Sequence, residues 1–226
     1  DLEEVWKSLS PLEHELHTAT TLPFTTTTLT TTTTTLNNII SSLRSLPNRI
    51  RNTLPYDHIS TKVTSYTASI PLLTSLKTSS LKPRHWNTIL TTLSITTPLS
   101  SLTLLDLLSA DLVNKKPKLI EVFTNASGEM ALQQFIDNVS THWKTRPLDL
   151  ILYKNRVRLI KNWDDLLEKI EEHLNSLHLM KLSPYYKNDP SFSDSNALWT
   201  AKLSSLSEIF SLWFTVQKKW VYLSSI

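Results

Sequence analysis

A single glycine, Gly128, serves the whole chain of 226 residues. Glycine reaches positive φ without steric cost, so tight turns and phosphate-cradling loops depend on it. Its ordinary share would be about 7%. Such scarcity argues against a dinucleotide fingerprint, a P-loop or a nucleophile elbow, each of which needs glycines at fixed offsets. Long helices joined by Pro, Asn and Ser remain. The eleven prolines stand mostly where a helical pattern should stop or kink. The expected fold is mainly α, an elongated helical stack or bundle with one β-hairpin at about residues 148–161.

Residues 3–19 form an amphipathic pattern around Val5, Leu9, Leu12 and Leu16, kinked at Pro11. Pro23 is expected to open a second helix carrying the threonine run 25–35. Such a run alone suggests disorder or a stalk. However, Leu29, Leu36, Leu43 and Ile50 recur every seven residues, with Ile39, Ile40 and Leu46 between them. The helical period therefore passes through the threonines, which become a solvated face of poor intrinsic propensity. Pro47 ends this helix. A third follows Pro55 and kinks near Pro71, and a short one starts at Pro83. A loop at 94–101 and an apolar element at 102–108 come next. Pro117 begins a long helix with Ile120, Phe123, Leu132, Phe135, Val139 and Trp143 turned inward. Gly128 in its middle signals a close approach by a neighbour, or a bend.

At 148–161 the period changes to alternation, which reads as a hairpin. Pairing Tyr153 with Arg156 would put Leu150, Leu152, Val157 and Leu159 on a face packed against helices. Ile151, Tyr153, Arg156 and Arg158 would form the opposite face, with Tyr153, Arg156 and Arg158 available to a partner. Asn162 is expected to cap the next helix, whose stripe is Trp163, Leu167, Ile170, Leu174 and Leu177. A polar loop at 184–196 precedes the final helix. There Trp199, Leu206, Trp213 and Trp220 are spaced by seven, with Leu203, Phe210 and Gln217 between them. That pattern gives a stiff aromatic face in which Gln217 is the odd polar member. Trp213→Ala is expected to cost about 3–5 kcal/mol as a core truncation.

No grouping supports chemistry. His14 and His17 lack an evident third metal ligand. Asp164, Asp165, Glu168, Glu171 and Glu172 read as a solvated helix face. His85 and His142, each beside a tryptophan, lack a nucleophile in a recognisable context. The absence of cysteine removes disulfides and thiolate zinc sites. A formal charge of +3, with dispersed Lys and Arg, points away from nucleic acid. No apolar run approaches the roughly 20 residues that span a bilayer. Catalytic, cofactor and metal residues are thus expected to be none, and no membrane partner is implied.

Several stretches, in order and with similar spacing, carry a resemblance. They are Leu81-Lys82-Pro83-Arg84-His85-Trp86, then Gly128 to Phe135 (GEMALQQF), and Trp143. Leu148-Asp149-Leu150, Tyr153-Lys154-Asn155 and Arg158 to Leu166 (RLIKNWDDL) follow. Met180 to Lys187 (MKLSPYYK), Trp213 and Val216 to Leu223 (VQKKWVYL) complete the set. Together they resemble the linker region of dynein heavy chains, most like the cytoplasmic form. The match is strong over 81–226, the linker core, and weaker over 1–80, an N-terminal helical part. Asn162 stands where the family tends to have glycine, and Ser224-Ser225 where it has Glu-Gly.

The resemblance implies a piece of a much longer chain, acting as a mechanical lever across an AAA+ ring. In this reading Trp86, Trp143, Trp163, Trp199, Trp213, Gln217 and Trp220 have structural roles, and ATP with magnesium binds in the ring instead. The implied partners are the chain's own ring in cis, a second heavy chain through an upstream tail, intermediate and light chains through that tail, and microtubules through a distant stalk. The implied location is the cytoplasm and its cytoskeleton. A generic spectrin-like helical scaffold is the alternative, and an all-helical structure without the hairpin would favour it.

Overall fold

The computed structural model describes residues 2–78 and 80–226. The chain divides into two compact units, 1–126 and 127–226.

The first unit contains α1 (Leu2–Thr20), α2 (Leu29–Ser45), α3 (Asn48–Arg51), α4 (Leu54–Leu76), α5 (Pro83–Leu93), α6 (Leu104–Ser109) and the start of α7 (Lys116–Thr145). α2 packs on α1 and α4. Leu9, Leu36, Ile39, Val63, Leu73, Ile89, Leu104 and Leu107 meet in one core and are almost wholly shielded from solvent. The heptad residues Leu36 and Leu43 lie in that core. α1 continues through Pro11 and α4 through Pro71.

The second helix starts at Leu29, not at Pro23. Residues 22–24 instead pair with 102–104 like a fragment of antiparallel sheet. Phe24 N–H donates to the Leu102 carbonyl (2.8 Å) and Leu104 N–H to the Leu22 carbonyl (3.1 Å), with Pro23 opposite Thr103. Thr103 then caps α6, exchanging bonds with Asp106. The threonine run from Thr30 to Thr35 is helical, as its flanking period implies. The Thr33, Thr34 and Thr35 hydroxyls donate to the carbonyls of Leu29, Thr30 and Thr31 at 2.7, 2.9 and 3.1 Å. Two threonines of the run 25–35, Thr27 before the helix and Thr32 within it, depart from the solvated-face reading and are buried. Farther on, α7 buries Leu119 in place of Ile120, which is exposed.

The second unit holds the rest of α7, β1 (Leu150–Tyr153), β2 (Val157–Ile160), α8 (Trp163–Met180) and α9 (Pro190–Leu223). α8 packs along α9. Val139, Ile170, Leu177, Phe192 and Leu203 form the centre of its core. α9 begins earlier than the polar loop suggested. Asp189 caps it by accepting from Ser191 N–H at 3.1 Å, and Pro190 occupies the first turn, where its missing N–H costs nothing.

Gly128 does mark a close approach, made by a ring and not by a helix. A Cβ built there would fall 2.2 Å from a Tyr185 ring carbon. The tyrosine comes from the turn after α8 and lies against the bare helix backbone.

Candidate functional site

The hairpin forms where alternation places it, but one residue out of the expected register. Tyr153 pairs with Val157, Leu152 with Arg158, Ile151 with Leu159 and Leu150 with Ile160. Three residues make the loop. Lys154 and Asn155 both adopt positive φ, 48° and 53°, and Arg156 N–H donates to the Tyr153 carbonyl at 3.1 Å. A slip of one residue moves a whole strand's side chains to the other face. Leu150, Leu152, Arg158 and Ile160 therefore share one face, and Ile151, Tyr153, Val157 and Leu159 the other. The expected common face of Tyr153, Arg156 and Arg158 does not exist: Arg156 sits in the loop, and Arg158 lies opposite Tyr153. Nor is a leucine face buried on helices, because Leu150, Ile151 and Leu152 are all about half exposed.

The hairpin is instead held edge-on by α9. Gln217 Nε2 donates to the Ile160 carbonyl at 2.8 Å, and Ile160 N–H donates to Gln217 Oε1 at 3.0 Å. A primary amide carries the same donor and acceptor as a peptide unit. Gln217 thus satisfies both groups of Ile160, which the two-stranded ladder would leave on an open edge. Three residues along, Trp220 meets the Tyr153 ring edge to face, centroids 5.8 Å apart. One turn further, the Ser224 carbonyl accepts from Lys154 Nζ at 2.6 Å. The polar residue that interrupts the aromatic stripe is therefore a backbone clamp.

The tryptophan stripe divides along α9. Trp199, Leu203 and Phe210 are buried. Trp213 is 48% exposed and Trp220 39%, so neither is a core residue of this chain. The stripe outruns its cover: α8 runs antiparallel to α9, its end at Leu177 and Met180 beside Asn196 and its start at Trp163 beside Phe210, so that past Phe210 the hairpin takes over as the neighbour. Trp163, at that start, stacks near Phe210 and Phe214 at 6.1 and 5.5 Å. Its indole N–H is buried without a hydrogen-bond partner among the described residues.

Asn162 precedes α8 in the left-handed region, φ 56°. Its side chain does not cap the helix; it donates to Asp149 Oδ2 at 3.0 Å. Glycine is the usual occupant of such a position, and Asn tolerates it well among other residues.

Trp143 and Trp86 lie elsewhere. Trp143, on α7, donates its indole N–H to His173 Nδ1 on α8 at 2.8 Å. Trp86, in the first unit, packs edge-on against Phe24 at 6.0 Å. Sequence reasoning missed His173 and Asn196, both buried. Asn196 donates to the Leu177 carbonyl at 2.7 Å. For His173 the signal was present, since it stands three residues after Ile170 on the apolar stripe. Among the described residues no group of three or more metal-ligating side chains converges, and no helix is long and apolar enough to cross a membrane.

Fold and site together define a mainly helical chain with one hairpin strapped along its last helix. A family model described as "Dynein heavy chain, N-terminal region 2" matches residues 1–226, and the chain belongs to the dynein heavy chain family. It is 33% identical over 225 residues to a cytoplasmic dynein heavy chain of Caenorhabditis elegans, and 34% over 226 residues to that of Drosophila melanogaster. In both the whole of this chain is covered, but only 5% of the relative. Dynein heavy chain-like protein 1 of Plasmodium falciparum is 37% identical over 185 residues, 82% of this chain and 4% of the relative.

Proposed function

We propose that this chain is a mechanical linker segment of a cytoplasmic dynein motor, transmitting ATP-driven changes of the AAA+ ring toward the cargo-bearing tail. Supporting this reading are the family match over the whole chain and one structural observation above others. The 34-residue α9 binds a hairpin along its side through Gln217, Trp220 and Ser224. Long helices resist bending best when braced laterally, and such a brace suits an element that must carry load. In this proposal the segment binds no nucleotide and catalyses nothing. ATP and magnesium belong to the ring. The ring in cis, a second heavy chain, the intermediate and light chains, and microtubules are partners of the whole motor in the cytoplasm.

The test is a full-length motor carrying Gln217→Ala. Gliding velocity should fall while microtubule affinity stays near normal. Unchanged velocity, with loosening of the hairpin demonstrated independently, would remove the mechanical role of the clamp. Micromolar nucleotide binding by this segment would count against the assignment itself.

A further inference from the structure

Where α7 and α8 meet in the second unit, two imidazoles face each other. The His142 and His173 rings lie edge to face with centroids 5.3 Å apart. Each has a partner that can only donate. The Trp143 indole N–H donates to His173 Nδ1 at 2.8 Å, and Arg146 Nη1 lies 3.1 Å from His142 Nε2. An indole and a guanidinium accept no hydrogen bond. His173 Nδ1 and His142 Nε2 must therefore both be bare acceptors, so both rings are neutral, with their protons on the opposite nitrogens. Adding a proton to either acceptor sets N–H against N–H.

We propose that His142 and His173 form an acid-sensitive latch between α7 and α8, closed while both rings are neutral and opened when they take up protons. The surrounding charges are mixed. From the residue just after α7 comes Arg146, which also pairs with Asp165 of α8. From α8 come Asp165, Lys169 and Glu172, with Lys169 Nζ donating to Glu172 Oε2 at 2.6 Å. Among the described residues, no charge from α9 acts notably on the two rings. The carboxylates are already engaged by cations, so they offer an imidazolium little relief, while Arg146, Lys169 and the other histidine repel it. Burial is the largest influence, and it depresses both histidines below their ordinary range; Arg146 and Lys169 add to this at His142, and Lys169 and His142 at His173.

The sign follows from linkage. A histidine whose folded value is depressed binds its proton more readily when unfolded. Its contribution is fully present above the unperturbed value of about 6.5 and is lost as pH falls below it toward the folded values.

The experiment measures both histidine titrations by NMR in this chain, with thermal melting between pH 7.5 and 5.0. Both rings should titrate below about 6.5, and melting should drop by several degrees across that interval. In H142Q/H173Q, which cannot take up protons there, the drop should shrink by at least half. Either ring titrating at or above the unperturbed value overturns the latch, as does an undiminished drop in the variant. Should the variant fold poorly at pH 7.5, the wild-type titrations alone decide.

Discussion

Gly128 and Tyr185 show how one missing methyl can organise a surface. The ring occupies the volume that any other residue would fill with its Cβ. Gly128→Ala should gain about 1 kcal/mol of helix propensity yet lose about 1–3 kcal/mol to overpacking. Net destabilisation is expected in urea unfolding, and it should vanish or reverse when Tyr185→Ala is added. Asn162 offers a second case. At φ 56° a Cβ-bearing residue without a short polar side chain costs about 1–2 kcal/mol. Asn162→Ala should therefore destabilise by roughly that amount, whereas Asn162→Gly should stay within about 0.5 kcal/mol of the parent in the same measurement.

At the scale of elements, α9 is two different helices in one. Its first half is a core helix and its second half a brace. Leu203→Ala should cost about 2–5 kcal/mol, since the side chain is wholly buried. Trp213→Ala should cost clearly less, because nearly half the indole is in water already. Comparing the two by denaturant melting checks this division. Gln217→Ala strips partners from both backbone groups of Ile160. The Ile160 amide should then exchange with solvent at least about fivefold faster, consistent with a loss of about 1–3 kcal/mol. Unchanged exchange would mean the amide contacts do not hold the strand. The hairpin also shows where pattern reading stops. Alternation located both strands correctly, but the register was set by a three-residue loop with two positive-φ positions. Neither Lys154 nor Asn155 is glycine, so no turn signal marked the extra residue.

Across the whole molecule, the features legible in sequence were those repeated many times. Helical period recurs over dozens of residues, so the mainly α class and the helix inside the threonine run could both be read. Prolines marked the end of α2 and the starts of α4, α5 and α7, but α1 and α4 run through Pro11 and Pro71 and α2 does not start at Pro23. What stayed hidden depends on single contacts between distant residues. Gln217 reaches Ile160 across 57 positions and Trp143 reaches His173 across 30, and nothing in local patterning couples such pairs. The heptad along α9 misled for a related reason: spacing reports which residues share a helix face, not whether anything covers that face.

The threonine run has a genetic side. A tract of one repeated residue is a place where copying slips and length varies between individuals or lineages. In a coil such variation would be silent. In α2, each residue added or removed between Leu29 and Leu36 turns the preceding segment by about 100° around the helix, carrying Leu29 off the core and the buried Thr32 with it. Natural variants of this run should therefore cluster at changes of seven, or at three or four, and avoid one, two or five.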